Sequence, residues 1–93
     1  MARYHVRAKI TSNDPTNTNF QSFENDEAIS IIQEFYADGR IILAEDTINS
    51  DHRIVENSFT DLDTYLDLRS QLNALGNYKR NDVTTQILSE GYI

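Results

Sequence analysis

The length, composition and charge of the chain limit the class of protein to which it belongs. Its 93 residues are enough for one hydrophobic core. An apolar share of 39% and a charged share of 25% are typical of a folded domain and exclude wholesale disorder. The net charge of −7 argues against a nucleic-acid partner, because binding through the phosphates needs clustered Lys and Arg.

The residue types that are missing narrow the class further. The chain has no cysteine, which excludes disulfides, thiolate nucleophiles and thiolate metal sites. No apolar run approaches the ~18 residues of a membrane span, and the first residues lack the apolar stretch of a signal peptide. We therefore expect a soluble, cytoplasmic protein with no membrane partner.

The first segment, Arg3 to Thr11, alternates strictly between apolar and polar residues, which predicts a half-buried strand. The apolar face holds Tyr4, Val6, Ala8 and Ile10, and the basic face holds Arg3, His5, Arg7 and Lys9. The charge of the chain is therefore uneven. Residues 1–10 carry +3, so the remaining residues must carry −10 to give the total of −7.

A loop and a helix follow the first strand. Residues 12–19 are polar and include the only proline, which predicts a loop that Phe20 and Phe23 anchor to the core. Asn25 is the predicted N-cap of a helix whose apolar residues recur at helical spacing. Gly39 is expected to end this helix in the left-handed conformation.

The second half of the chain predicts three strands and one helix. Residues 40–48 and 52–59 form a hairpin around a short turn. A helix begins with the capping and acidic residues at 60–63 and ends at Gly76. Residues 77–82 predict a polar connection, 83–89 a final strand and 91–93 a short tail.

This order of elements, β-α-β-β-α-β, predicts an α+β ferredoxin-like plait that forms a single domain over residues 1–93. Such a plait has a four-stranded antiparallel sheet with both helices on one face. The helices then cover the apolar face of the first strand. Its basic face lies on the opposite side of the sheet, which we call the open face.

The open face is the candidate ligand-binding site or dimer interface. Its predicted residues are Arg3, His5, Arg7, Lys9, Glu56 and Glu90, with Gln86 on the same side. Opposite charges on neighbouring strands stabilise a solvated sheet, so charge matching within the sheet is the favoured interpretation, with or without a dimer over it. The alternative is a pocket for an anion or a carboxylate substrate.

Metal, cofactor and nucleophile motifs are not predicted. His5 and His52 lie on strands that this fold makes neighbours, and with Glu56 they could hold zinc, but no further ligand stands at a known spacing. Asp61 and Asp63 suit the start of a helix, and Asp67 a solvated face, better than a Mg²⁺ or Ca²⁺ site. There is no phosphate loop, dinucleotide fingerprint or nucleophile elbow, and therefore we expect no metal and no cofactor.

The stretch Tyr4-His5-Val6-Arg7 resembles the opening strand of muconolactone isomerases, which belong to the dimeric α+β-barrel group of ferredoxin-like proteins. The order of elements is compatible with that group along the whole chain. The longer helices of those isomerases and the proline before their last strand are missing, and no catalytic residue can be carried over. The resemblance implies pairing through the open sheet faces and therefore a homodimer.

The leading hypothesis is a small self-associating accessory or interaction protein without catalytic activity. In a dimer, we expect the basic face to pair with Glu56, Glu90 or acidic residues of the second copy, because unpaired buried charge is costly. One alternative is a small cofactor-independent isomerase or monooxygenase-like enzyme that uses His5 as acid or base and Arg7 to bind an anion. Another is an acidic protein that binds a basic host partner, and the composition suggests a phage or marine microbial origin.

Overall fold

The chain folds into one four-stranded sheet and two helices, as the sequence predicts. The computed structural model describes residues 2–76 and 79–93. The elements are β1 (Tyr4–Ser12), α1 (Asp26–Ala37), β2 (Ile41–Ile48), β3 (Arg53–Phe59), α2 (Leu62–Ala74) and β4 (Val83–Tyr92). Neighbouring strands are antiparallel in the order β2-β3-β1-β4, which is the topology of an α+β ferredoxin-like plait.

Both helices begin at predicted capping positions, α1 at Asn25 and α2 at Asp61 within the predicted segment 60–63. The Asn25 side chain accepts a hydrogen bond of 2.8 Å from the second helical N–H of α1. The Asp61 carboxylate accepts one of 2.7 Å from the Thr64 N–H, and the hydrogen bonds from Thr64 hold the pKa of Asp61 below its usual value. Gly39 (φ 74°) and Gly76 (φ 78°) follow the helix ends in the left-handed conformation, as expected.

The core lies between the two helices and the sheet. Its buried side chains are Tyr4, Val6, Ala28, Phe35, Ile41, Phe59, Tyr65, Leu68 and Leu72. The apolar face of β1 therefore lies towards the helices, as predicted. Phe20 is buried and Phe23 packs against the core, so the loop before α1 is anchored as its sequence indicates.

The loop after β1 is also held by the segment that precedes β4. The guanidinium of Arg80 lies 2.9 Å from the Asp82 carboxylate and 3.3 Å from that of Asp14. The Asn13 N–H donates to the Asp82 carbonyl at 2.7 Å. The first two residues of the predicted polar connection, 77 and 78, lie outside the described residues.

The prediction of a short tail at residues 91–93 is wrong, because β4 continues through Tyr92. Gly91 stands opposite His5, and Tyr92 stands opposite Tyr4. The glycine interrupts the alternation of the preceding residues, so the pattern gave no reason to extend the strand. No helix in residues 2–76 or 79–93 has the length and apolar character needed to cross a membrane.

Candidate functional site

The centre of the open face is a network of charged and polar side chains on β1 and β3. Arg7 stands opposite Glu56, and His5 stands opposite Ser58. The Arg7 Nε atom lies 2.9 Å from Glu56 Oε1, and His5 Nε2 lies 3.5 Å from Glu56 Oε2. His5 Nδ1 lies 2.9 Å from Ser58 Oγ. Glu56 therefore lies beside the basic face, where cross-strand pairing was expected to place it.

Much of this network is shielded from water even in the single chain. The side chains of His5 and Glu56 are 19% and 22% exposed, and that of Arg7 is 47% exposed. Partial burial weakens dielectric screening and so strengthens the attraction between opposite charges. A molecule bound over the open face would therefore displace little further water from His5 and Glu56. These two side chains already have charged or polar partners within the chain.

The two remaining basic residues of the open face, Arg3 and Lys9, have no ion pair among residues 2–76 and 79–93. The Arg3 Nη1 atom is buried and has no hydrogen-bond partner in this part of the chain. Lys9 contributes to the lowered pKa of Asp51, although a hydrogen bond with His52 is the main cause. Lys9 is thus the charge on this face that a bound partner could satisfy, because the unpaired Nη1 atom of Arg3 is not accessible from outside.

The open face also carries an acid that the sequence pattern did not place there, namely Glu45. A register shift after Leu43 leaves Ala44 as an extra residue in β2, so Glu45 stands opposite Glu56. An inserted residue reverses the alternation of faces beyond it. The open face therefore has a basic strip on β1 and an acidic strip, Glu45 and Glu56, on β2 and β3.

A second bulge removes the predicted Glu90 from the open face. The register between β1 and β4 shifts at Arg7, which leaves Leu88 as an extra residue. Glu90 therefore stands opposite Val6 on the helix side, where its carboxylate accepts a 3.3 Å hydrogen bond from the Tyr65 hydroxyl. The expectation that Glu90 lies on the open face is wrong for this reason.

Gln86 precedes the bulge at Leu88 and keeps the predicted alternation. It stands opposite Lys9 and so lies on the open face. The bulge thus separates the two residues that the sequence placed together, because it lies between Gln86 and Glu90.

Three tyrosines on the helix side form a cluster that the sequence pattern did not predict. The ring of Tyr4 stacks on that of Tyr65 with 5.4 Å between centroids, and it meets the ring of Tyr92 edge-on at 5.3 Å. Burial, followed by the charge of Glu90, raises the pKa of the Tyr4 and Tyr65 hydroxyls. The Tyr92 hydroxyl oxygen accepts a 3.0 Å hydrogen bond from the Leu62 N–H at the start of α2. This cluster joins β4 to the core.

Replacing Tyr92 with alanine should therefore lower the free energy of unfolding by about 1–2 kcal/mol, because both a ring contact and a helix-terminal hydrogen bond are lost. Urea unfolding followed by circular dichroism measures the change. The Tyr92→Phe variant keeps the ring and should lose only about half as much. An unchanged free energy of unfolding in the Tyr92→Ala variant would contradict the stabilising role of this side chain.

The geometry around His5 is poorly suited to proton transfer with a substrate. Both of its ring nitrogens lie beside protein side chains, and Arg7 Nε lies beside Glu56. The pocket next to His5 is an open depression of about 190 Å³, lined otherwise by residues 89–93. A larger pocket of about 350 Å³ lies between the loop after β1 and the hairpin turn, and neither His5 nor Arg7 lines it.

The two histidines do not form a shared site. His5 stands opposite Ser58, whereas His52 precedes the other end of β3, six residues and therefore roughly 20 Å away along an extended strand. His52 lies instead beside Asp51 and Asn49 in the hairpin turn. In the described part of the chain, no three His, Asp or Glu side chains are grouped so that they could hold a metal ion.

No protein-family model, curated protein or solved structure matches this chain. The fold defines the class, an α+β ferredoxin-like plait. Folds of this kind carry many different functions, so the function depends on this chain's own residues. The resemblance of residues 4–7 to muconolactone isomerases stays a prediction.

Proposed function

We propose that this chain is a non-catalytic interaction protein that forms a homodimer through the open face of its sheet. The observation that carries the proposal is the pairing of Arg7 and His5 with Glu56 at the centre of that face. Charged residues at an interface are tolerated when they have partners, whereas a lone buried charge is strongly destabilising. The centre of the open face meets this condition before any partner arrives.

The distribution of charge favours this face for contact between two copies. Each chain carries −7, and residues outside the first ten carry −10, so most surfaces of two copies repel each other. The open face contains the basic strip of β1 and is therefore the least negative part of the sheet. Two like-charged molecules associate most readily through such a region.

The two strips on the open face are also complementary to each other. A two-fold axis near the centre of the face would place the basic strip of one copy over Glu45 and Glu56 of the second copy. Lys9 would then gain the partner that it lacks within the described chain. An arrangement of this kind satisfies the requirement that buried charges be paired on both sides of an interface.

Reversing one charge of the basic strip tests the proposal. We expect the Arg7→Glu variant to sediment at a lower mass than the unmodified chain at micromolar concentration, because it would place three acids together on each open face. The matched control is Arg69→Glu on α2, which changes the net charge by the same amount but lies on the helix layer. We expect the control to associate as the unmodified chain does.

A second variant keeps the proposal testable if Arg7→Glu does not fold. Lys9→Glu breaks no ion pair within the described chain and should weaken association in the same direction. Circular dichroism and urea unfolding verify that each variant is folded. The proposal fails if folded Arg7→Glu and Lys9→Glu associate as strongly as Arg69→Glu.

A further inference from the structure

The outer edge of β4 is an open strand edge without any charged side chain along most of its length. Strand order makes β2 and β4 the two edges of the sheet. The segment Val83 to Ser89 contains no Asp, Glu, Lys or Arg, and Ile87 and Leu88 on it are 46% and 38% exposed. Natural edge strands usually carry charges, prolines or bulges that prevent pairing with another strand. Along Val83–Ser89, the bulge at Leu88 is the only such device.

The backbone groups that β4 offers to a further strand can be identified from its pairing with β1. The Asn13 N–H donates to the Asp82 carbonyl at 2.7 Å, which makes this pair a hydrogen-bonded one. In antiparallel strands, hydrogen-bonded and non-hydrogen-bonded pairs alternate. The N–H and C=O groups of Thr84 and Gln86 therefore point to β1. Those of Val83, Thr85 and Ile87 point away from β1, towards the free edge.

We propose that β4 pairs in antiparallel fashion with β4 of a second copy about a two-fold axis at Thr85, which joins two sheets into one of eight strands. This axis sets Thr85 opposite itself and Val83 opposite Ile87 of the second copy. The outward-pointing backbone groups of Val83, Thr85 and Ile87 then face those of Ile87, Thr85 and Val83 in the second copy. This arrangement allows about six backbone hydrogen bonds. An axis at Ile87 would instead bring the bulge at Leu88 into the paired segment and interrupt it.

The side chains of the paired segments fit a second copy of this chain. Val83 and Ile87 point to the helix side of the sheet and would form an apolar cross-strand pair at each end of the contact. Thr84 would stand opposite Gln86 on the other face, and no charge opposes a like charge. The same two-fold pairing centred on this part of β2 would bring Glu45 and Asp46 of one copy beside those of the second, which is unfavourable.

This contact is independent of the proposed dimer, because the open face lies above the plane of the sheet and the edge of β4 lies in that plane. A foreign extended peptide could also use free backbone groups of this kind. The second copy is favoured because all three outward-pointing positions match under one two-fold axis and because the segment is uncharged. Because each chain has a net charge of −7, two copies repel each other over most of their surfaces, and the uncharged edge of β4 is an exception.

Disulfide trapping tests the pairing directly, because the chain has no cysteine of its own. On the two-fold axis, the Thr85→Cys positions of two copies would lie about 5.5 Å apart between Cα atoms, within the range that a disulfide spans. We expect this variant to form covalent dimers under mild oxidation at micromolar concentration. The matched control is Ile48→Cys, at an exposed position on the helix side of the other edge strand, and it should form few covalent dimers.

A lysine on the edge provides a second measurement that needs no oxidation. We expect Ile87→Lys to reduce the sedimenting mass relative to Ile48→Lys, which introduces the same charge at a residue that is 51% exposed on β2. The proposal is overturned if the two cysteine variants form covalent dimers at equal rates or if Thr85→Cys forms none. It is also overturned if Ile87→Lys and Ile48→Lys sediment with equal mass. Failure of Arg7→Glu to weaken association would count against the open-face dimer alone.

Discussion

Replacing Phe35 with alanine is expected to lower the free energy of unfolding by about 3–5 kcal/mol, the largest effect of any single substitution considered for this fold. Phe35 is 1% exposed and is the largest fully buried side chain in the described residues. The guanidinium of Arg40 lies 3.7 Å above its ring and closes the core from outside. Because small domains are stable by only about 5–15 kcal/mol, this variant should be close to unfolding.

Urea unfolding followed by circular dichroism measures this loss, and the adjacent aromatic residue supplies the control. Tyr36 is 36% exposed, and its hydroxyl donates a 2.6 Å hydrogen bond to Asn57. Tyr36→Ala should therefore cost only about 1 kcal/mol, mainly through that hydrogen bond. Equal losses in the two variants would contradict the placement of the core between α1 and the sheet.

Acidification below about pH 4 is the second change with a large expected effect, because several carboxylates are stabilised in the folded chain. The pKa is held below its usual value in Asp14, Asp46, Asp51, Asp61 and Asp82. For Asp46 the main cause is the hydrogen-bonded pair with Arg53, which joins β2 to β3. For Asp14 it is the hydrogen bonds from Thr16, and for Asp82 it is the hydrogen bond from Arg80.

The direction of the pH effect on stability depends on whether the folded or the unfolded chain binds protons more readily. Their ordinary pKa is 3.8, and in the folded chain it is lower, so the unfolded chain binds protons more readily. The stabilisation is therefore complete above the ordinary pKa and is lost as the pH falls through the lowered, folded-state values. Little of it should be lost between neutral pH and about pH 5.

The urea midpoint at about pH 7, pH 5 and pH 3 tests this expectation. We expect a small change over the first interval and a pronounced fall over the second. The Asp46→Asn variant should be less stable at neutral pH and should show a smaller fall, because one of the titrating groups is gone. A midpoint that is unchanged down to pH 3 would contradict the role of these carboxylates.

The fold could be predicted because its determinants are local. The alternation in β1, the cap at Asn25, the capping segment 60–63 and the glycines after each helix act over a few residues. Each of them appears in the structure as expected. The position of Glu56 beside the basic face could also be predicted, because antiparallel order brings the middle of β1 beside the middle of β3.

The rest of the candidate site depends on two inserted residues that alternation alone does not reveal. The extra residue Ala44 carries Glu45 onto the open face, and the extra residue Leu88 carries Glu90 away from it. A period-of-two argument assumes that no residue is inserted, so one bulge is enough to reverse every later assignment on its strand. Both edge strands of this sheet contain such a bulge, so Glu90 was predicted on the wrong face and Glu45 was not predicted at the site at all.

The tyrosine cluster was missed for a different reason. Tyr4, Tyr65 and Tyr92 are far apart in sequence and meet only when β4 lies beside β1 and α2 packs above them. Because Gly91 interrupts the pattern before Tyr92, nothing local indicated that the strand continues. Only tertiary packing brings these side chains together.

Sedimentation equilibrium of the unmodified chain at about 1–100 μM is the most direct test of the central claim, that the protein associates with itself through its sheet. The mass of a single chain is 10.7 kDa. We expect a mass of at least twice that value at the upper end of this range, decreasing on dilution as a reversible dimer does. A mass of 10.7 kDa at every concentration would contradict the claim.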